Sequence, residues 1–189
     1  LKNKKFWVAS STHNNEEMFC AKAHLILKNK FKNLITIIIP RHIHRVKRIK
    51  SELQNLSLNV TLHSTSKKDF ANTDIYLVDT YGESKSFYKI CRTVFLGGSL
   101  INHGGQNPLE PARFGCNILH GPHVQNFIEV YKLLEKNKIS HKFYSVDQLF
   151  YLINQSFIRK ENHSNKIIKL KKIGSNILEK TFSEINYYL

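Results

Sequence analysis

Between Val94 and Phe127 the chain reads VFLGGSLINHGGQNPLEPARFGCNILHGPHVQNF, and its residue types are those of a site for an anion and a diol. Gly97, Gly98, Gly104 and Gly105 allow a backbone to approach a ligand with no Cβ in the way. Asn107 is placed to cap a helix whose first residue is Pro108, where a missing N–H costs nothing. Glu110 then falls at the third helical position. There it either completes a capping box or accepts hydrogen bonds from a vicinal diol such as a nucleotide ribose, while free helix-terminal N–H groups receive phosphate. The glycines do not form GxGxxG and GxxxxGK[ST] does not occur, so dinucleotide and P-loop readings lose support.

Arg41 and His42 directly follow a strand-ending Pro40, where an arginine suits a bidentate hold on phosphate or carboxylate. His13, His42, His44, His63, His103, His120 and His123 invite a metal reading, but none forms HExxH and the nearby acids lack zinc-site spacing. Imidazoles donating to an anion fit better, since His13, His42, His103 and His123 all map to one predicted edge. GGSL lacks the GxSxG elbow, and Ser99 has no identifiable base.

The elements that would carry these groups follow a strand–helix rhythm. KFWVA (Lys5 to Ala9) predicts a strand, and SSTHNNEE a turn into a helix from Glu16 to Lys28, with Glu16 and Glu17 favouring its positive end and Phe19, Ala23, Ile26 and Leu27 inward. NLITIIIP is a near-continuous apolar run, the pattern of a parallel strand covered on both faces. RHIHRVKRIKSEL places Ile43, Val46, Ile49 and Leu53 at helical spacing. Strands are expected at Leu58 to Leu62 and Ile75 to Val78, separated by a basic loop, STSKKDF, and a helix from Glu83 to about Cys91. After the glycine-rich stretch come a helix from Phe127 to Lys136, an edge strand from Lys142 to Ser145, and a helix from Val146 to Phe157 with Leu149, Leu152 and Ile153 inward. Last is an amphipathic helix from Asn165 to Phe182, with Ile168, Leu170, Ile173, Ile177 and Leu178 as its apolar residues. This is the pattern of an α/β, Rossmann-like, doubly wound, mostly parallel sheet. Right-handed crossovers then gather Ser10 to His13, Pro40 to His42, Asp79 to Glu83, Gly97 to Asn107 and Gly121 to Asn126 at one carboxyl edge.

With 189 residues, 41% of them hydrophobic, the chain fits one domain. Cys20, Cys91 and Cys116 are widely separated beside apolar residues and read as reduced, buried thiols. No run is long enough to span a bilayer, and LKNKKFWVASS turns polar too soon for a signal peptide. Leu1 in place of Met points to a processed product or a piece of a longer chain. A formal net charge of +15 calls for an anionic partner without choosing among nucleic acid, an acidic membrane surface and a phosphorylated metabolite.

In order, SSTHNNEE, IIIPRH, VDTYGE, FLGGSLINHGGQNPLEPARFG and LHGPHVQNF resemble the carboxyl-terminal half of bacterial 3-deoxy-D-manno-octulosonic acid (Kdo) transferases, over roughly Phe6 to Phe127. That resemblance implies one domain of a GT-B two-domain glycosyltransferase. Residues 1–189 would be the domain that binds the nucleotide-sugar donor CMP-Kdo, and an amino-terminal acceptor domain would lie outside this sequence. It implies a lipid A precursor as acceptor, lipopolysaccharide biosynthesis as the setting, and the cytoplasmic face of the bacterial inner membrane, with its anionic surface, as the location. Cofactor, metal and nucleic acid are not implied. Donor-binding positions carry over to Ser11, Thr12, His13, Arg41, His42, Gly82, Glu83, Gly98, Ser99, Gly105, Asn107, Glu110, His123 and Asn126. Arg41 and loop N–H groups would contact phosphate, and Asn107 and Glu110 ribose or cytidine. Catalytic residues are not among these, because the family's base is a glutamate of the amino-terminal domain. Tyr81, Gln106, Arg113 and His120 depart from the residues common in the family, so an adjusted fit is expected. A GT-B enzyme or epimerase using another nucleotide-sugar, and a basic non-enzymatic anion-binding module, are the readings that stand against this one.

Overall fold

The computed structural model describes residues 4–65, 70–159 and 163–188. Seven strands form one sheet: β1 (Lys5–Thr12), β2 (Leu34–Pro40), β3 (Val60–Leu62), β4 (Ile75–Leu77), β5 (Thr93–Leu96), β6 (Asn117–His120) and β7 (Ser140–Lys142). Their order is β3-β4-β2-β1-β5-β6-β7, and every pairing is parallel. Between them run α1 (Glu16–Lys30), α2 (Val46–Gln54), α3 (Ser84–Tyr88), α4 (Leu109–Arg113), α5 (Ile128–Lys136), α6 (Val146–Ile158) and α7 (His163–Tyr188).

Parallel strands alternate their side chains between two covered faces, and this alternation builds two cores. Trp7, Ala9, Leu34 and Ile38 point to one face, where Cys20, Ala23 and Leu27 of α1, Val46, Ile49 and Leu53 of α2, and Leu149 and Ile153 of α6 cover them. Val8, Ile35, Ile37 and Ile39 point to the other, under Phe87 and Tyr88 of α3, Ala112 of α4 and Tyr131 and Leu134 of α5. The fold is thus the expected doubly wound parallel sheet. Cys20, Cys91 and Cys116 are buried free thiols, as their apolar neighbours predict.

Several details differ from the sequence reading. Ile26 is 37% exposed rather than inward, because the covered face of α1 is made by Cys20, Ala23, His24 and Leu27, one helical turn apart around the cylinder. The segment after Pro40 begins as a 3-10 turn, Ile43–Arg45, and becomes α-helical only at Val46. The segment after β6 likewise opens with a 3-10 turn, Gln125–Phe127, before α5. The edge strand is Ser140–Lys142, two residues earlier than expected, so that it pairs with Ile118 to His120 of β6. In α7, Leu170 packs on the second core, whereas Ile168 is 63% exposed. The expected basic loop overlaps residues 66–69, and these residues, like the side chains of Ile177 and Leu178, lie outside the described residues.

Opposite the glycine-rich edge, Asp74 is held by Lys28 and by Asn59 N–H at 2.9 Å, and His24 hydrogen-bonds to Thr36 Oγ1 at 2.9 Å. Burial keeps His24 neutral by lowering its pKa from 6.5 to about 4. The unfolded chain therefore binds more protons than the folded one between these values, and stability falls as pH drops from about 6.5 to 4. The contribution is on the order of 3 kcal/mol. Urea midpoints of the wild type and His24→Gln should diverge at pH 7 and converge toward pH 4.

Candidate functional site

Chain order reverses beside β1: β2 lies on one side and β5, reached much later, on the other. In an open parallel sheet that reversal opens a crevice beyond the carboxyl ends of the two strands. The loop after β1 carries Ser11, Thr12 and His13, and the loop after β5 carries Gly97 to Gln106. The two approach without clearance. Ser11 bulges with φ 54°, shifting the register against β2, and a Cβ placed on Gly97 would lie 2.3 Å from Ser11 O and 2.6 Å from Thr12 Cα.

His13 is the centre of a basic cluster. Its ring centroid is 4.2 Å from that of His103 and 6.0 Å from that of His42, whose own ring stacks on His44 at 5.5 Å. Arg41 enters through its backbone, donating to Thr12 O at 3.0 Å. His13 is only 8% exposed, and its Nε2 has no partner among the described residues. Burial first, then the like charges of His103, His42, Arg45 and Arg41, pulls its pKa down to about 4. Gly98, with φ 67°, faces the same point: the space at its α-carbon is bounded by His103 Nδ1, Gln106 Nε2 and His13 Cδ2 at 3.3–3.4 Å. His103, Gln106 and His13 bring side-chain nitrogens to this point.

Several of the loop N–H groups at this edge are already taken. Glu16, read from sequence only as a helix-start acid, is 1% exposed, and its carboxylate accepts from Gly98 N at 2.7 Å, Ser99 N at 3.1 Å, Leu100 N at 3.0 Å and His13 N at 2.9 Å. Burial pushes its carboxyl above 4.5 while these four donors pull against that rise. Ser99 is also spent internally: its hydroxyl donates to Leu96 O at 2.6 Å and accepts from Gly121 N at 2.9 Å, and its carbonyl accepts from His123 N at 2.9 Å. Leu109 N donates to Asn107 Oδ1 at 3.0 Å, but the N-cap of α4 is Pro108, one residue later than expected, and Glu110 reaches Lys85 at 3.7 Å instead of completing a capping box. The amides of His13, Gly98, Ser99 and Leu100 are thus occupied by a carboxylate of the protein itself.

The rest of the glycine-rich loop is clamped from α5 and the loop after β6. Asn126 N donates to Gly104 O at 3.1 Å, its side-chain amide donates to His103 O at 3.3 Å, and a Cβ on Gly104 would lie 2.3 Å from that amide. Gly105 packs against the backbone of His123 and Val124. Tyr131, buried in α5, donates to Gln106 O at 2.9 Å and lies against the His120 ring. His120 in turn hydrogen-bonds through Nδ1 to Gly121 O at 2.8 Å, with Nε2 2.9 Å from Glu135.

Gly82 and Glu83 open α3, and Glu110 reaches the same helix through Lys85. Glu83 lies 4.0 Å from His63 Nε2, and Glu110 pairs with Lys85. Tyr81, 68% exposed, stands beside them, and Gly82 has φ 86°. Carboxylates accessible beside an exposed aromatic ring suit hydroxyls and a planar base. Residues the sequence reading left out are Glu16, Gln106, Tyr131 and the Arg45–Glu17 pair, whose two bonds of 2.9 and 3.0 Å tie α2 to α1. Two adjacent glutamates opening the helix directly after a loop mapped to the ligand edge were the available signal.

No family model matches the chain. Over 132 residues, 70% of the chain, it is 36% identical to the 3-deoxy-D-manno-octulosonic acid transferase of Haemophilus influenzae, of which it covers 31%. It is 28% identical over 189 residues, its whole length, to the enzyme of the same name from Rickettsia felis, covering 40% of that protein. The chain therefore spans about a third of the length of the curated relatives it matches. Among solved structures, the C-terminal CMP-Kdo binding domain of WaaA from Acinetobacter baumannii superposes with a TM-score of 0.83 at 26% identity, over 91% of this chain and 90% of that one.

Proposed function

We propose, from the homology of this chain to the carboxyl-terminal domain of the bacterial Kdo transferases, that residues 1–189 bind CMP-Kdo as the donor half of a GT-B glycosyltransferase. The observation that carries this reading is the unpartnered His13 Nε2, enclosed by His42, His103 and Arg41 in the crevice between β1 and β5. The CMP phosphate fills that cluster. Glu110, Asn107 and Glu83 take the ribose and sugar hydroxyls, with Tyr81 against the base, and Ser11, Thr12, Gly82, Gly98, Ser99, Gly105, His123 and Asn126 shape the loops around them.

In transfer, a base in an amino-terminal domain takes the proton of an acceptor hydroxyl. The oxygen attacks C2 of Kdo, the bond from C2 to the phosphate oxygen breaks, and CMP leaves with its electron pair. Arg41 and the imidazoles stabilise the charge that builds on the departing phosphate. Each such donor is worth about 3 kcal/mol at the transition state. The acceptor is a lipid A precursor at the cytoplasmic face of the inner membrane, where a net charge of +15 favours an anionic surface. Among the described residues no helix is long and apolar enough to cross a membrane.

Calorimetric titration tests the reading. CMP is expected to bind this polypeptide more tightly than UDP, and Kdo transfer is expected only when the amino-terminal domain is supplied. Absence of CMP binding at millimolar ligand would overturn it, and a preference for UDP would transfer the site to another nucleotide-sugar.

A further inference from the structure

Glu16 has the environment of a bound anion. Three successive amides, Gly98, Ser99 and Leu100, converge on its carboxylate with a fourth from His13, all at 2.7–3.1 Å. Successive N–H groups turned to one point form an anion-binding concavity, and here the anion is supplied by the protein from more than eighty residues away. The neighbouring guanidinium is engaged elsewhere, since Arg45 pairs with Glu17 and donates to Thr12 O at 3.4 Å. The two adjacent glutamates thus divide the joints of the crevice. Glu17 fixes α2, and Glu16 fixes the loop after β1 to the loop after β5.

We infer that Glu16 is a positioning residue of the donor site, its carboxylate occupying the amide concavity of Gly98 to Leu100 and so holding His13 against Gly98. A neutral side chain of the same shape cannot replace it. Glutamine presents an NH₂ to at least one inward-pointing N–H, donor against donor. Removing the side chain leaves the concavity intact in composition and short of one small carboxylate. The role is therefore chemical, and an added carboxylate can reproduce it. This deepens the donor-binding reading and uses its ligand as one probe.

The experiment compares wild type, Glu16→Asp, Glu16→Gln and Glu16→Ala by CMP titration and by the amide resonances of His13, Gly98, Ser99 and Leu100. Glu16→Gln and Glu16→Ala should weaken CMP binding about tenfold or more, with those four amide protons moving upfield. Sodium formate should return the Glu16→Ala amides and affinity toward wild type, while sodium chloride at equal ionic strength should not. Wild-type affinity and unchanged amides in Glu16→Gln would overturn the inference, as would a folded Glu16→Ala that formate leaves unchanged. If Glu16→Ala does not fold, Glu16→Asp retaining the downfield amides while Glu16→Gln loses them supports it, and equal behaviour of the two overturns it. Should wild type not bind CMP, the donor reading fails alone, since the amide shifts and their formate response are read without nucleotide.

Discussion

Arg41→Ala is expected to weaken CMP binding by about 30- to 100-fold, while Lys171→Ala leaves it unchanged. Arg41 follows the last residue of β2, and its N–H donates to Thr12 O at 3.0 Å, so its Cα is fixed to the same loop as His13. The side chain is exposed in the ligand-free protein and lowers the His13 pKa through its charge. A guanidinium on a phosphate makes charge-assisted, often bidentate bonds. A loss of about 2–3 kcal/mol follows from removing one such contact, and each 1.4 kcal/mol is tenfold in affinity. Arg41→Lys should recover only part of it, because an ammonium keeps the charge without the fork. Lys171 lies exposed on α7 and is not among the charges that act on His13. If both variants lost affinity equally, with a steep salt dependence, the protein would be a basic anion-binding module instead.

Gly97→Ala should be strongly destabilising, as should Gly121→Ala, whose Cβ would lie 2.3 Å from Ser99 O. At Gly97 the Cβ would lie 2.3 Å from Ser11 O, 2.6 Å from Thr12 Cα and 2.7 Å from Glu16 Oε2, two of them backbone atoms that no rotamer change can withdraw. Relief requires separating the ends of β1 and β5, which strains the Glu16 contacts to Gly98, Ser99 and Leu100 as well. Overpacking of this kind costs about 3 kcal/mol, at the upper end of its usual range. At Gly98, alanine meets atoms only at 3.3–3.4 Å and chiefly suffers from φ 67°, a cost of about 1–2 kcal/mol. At Gly174, exposed on α7 with nothing within 4 Å, alanine should stabilise by about 0.5–1 kcal/mol. Urea midpoints of the Gly97, Gly98 and Gly174 variants should rise in that order, and a Gly97→Ala midpoint matching wild type would contradict the close approach.

The periodicity of the sequence was enough for the sheet, because two-sided burial leaves a continuous apolar run such as LITIIIP that neither a surface strand nor a short helix would show. It also carried the edge assignment, since each strand end is marked by a polar or glycine-bearing loop. It did not carry the use of the amides. Whether an N–H after a glycine pair faces ligand or protein depends on what crosses the crevice, and Glu16 crosses from a distant helix. The turn at Asn107 was legible to within one residue because its bond to Leu109 N is local, although the N-cap itself is Pro108. Glu110 was half legible: its position on α4 followed from Pro108, but its partner Lys85 comes from α3. Ile26 was misplaced because several faces of α1 carry apolar residues, and only the packing of α2 and α6 selects one.

The strand order has a consequence for synthesis. Of the seven strands β1 is made first, yet it lies at the centre of the sheet, with Val8 paired to Val94 and Ser10 to Leu96. A nascent chain can lay β2 and β4 on one side of β1, but its other edge stays open until β5 emerges. Glu16, its charge already built into α1, has only the amide of His13 among its four donors until the segment from Gly98 to Leu100 has been made. Domains of this kind tend to fold late and as a unit. Fragments ending before residue 100 are thus expected to expose a bare central strand, and to be sticky for that reason.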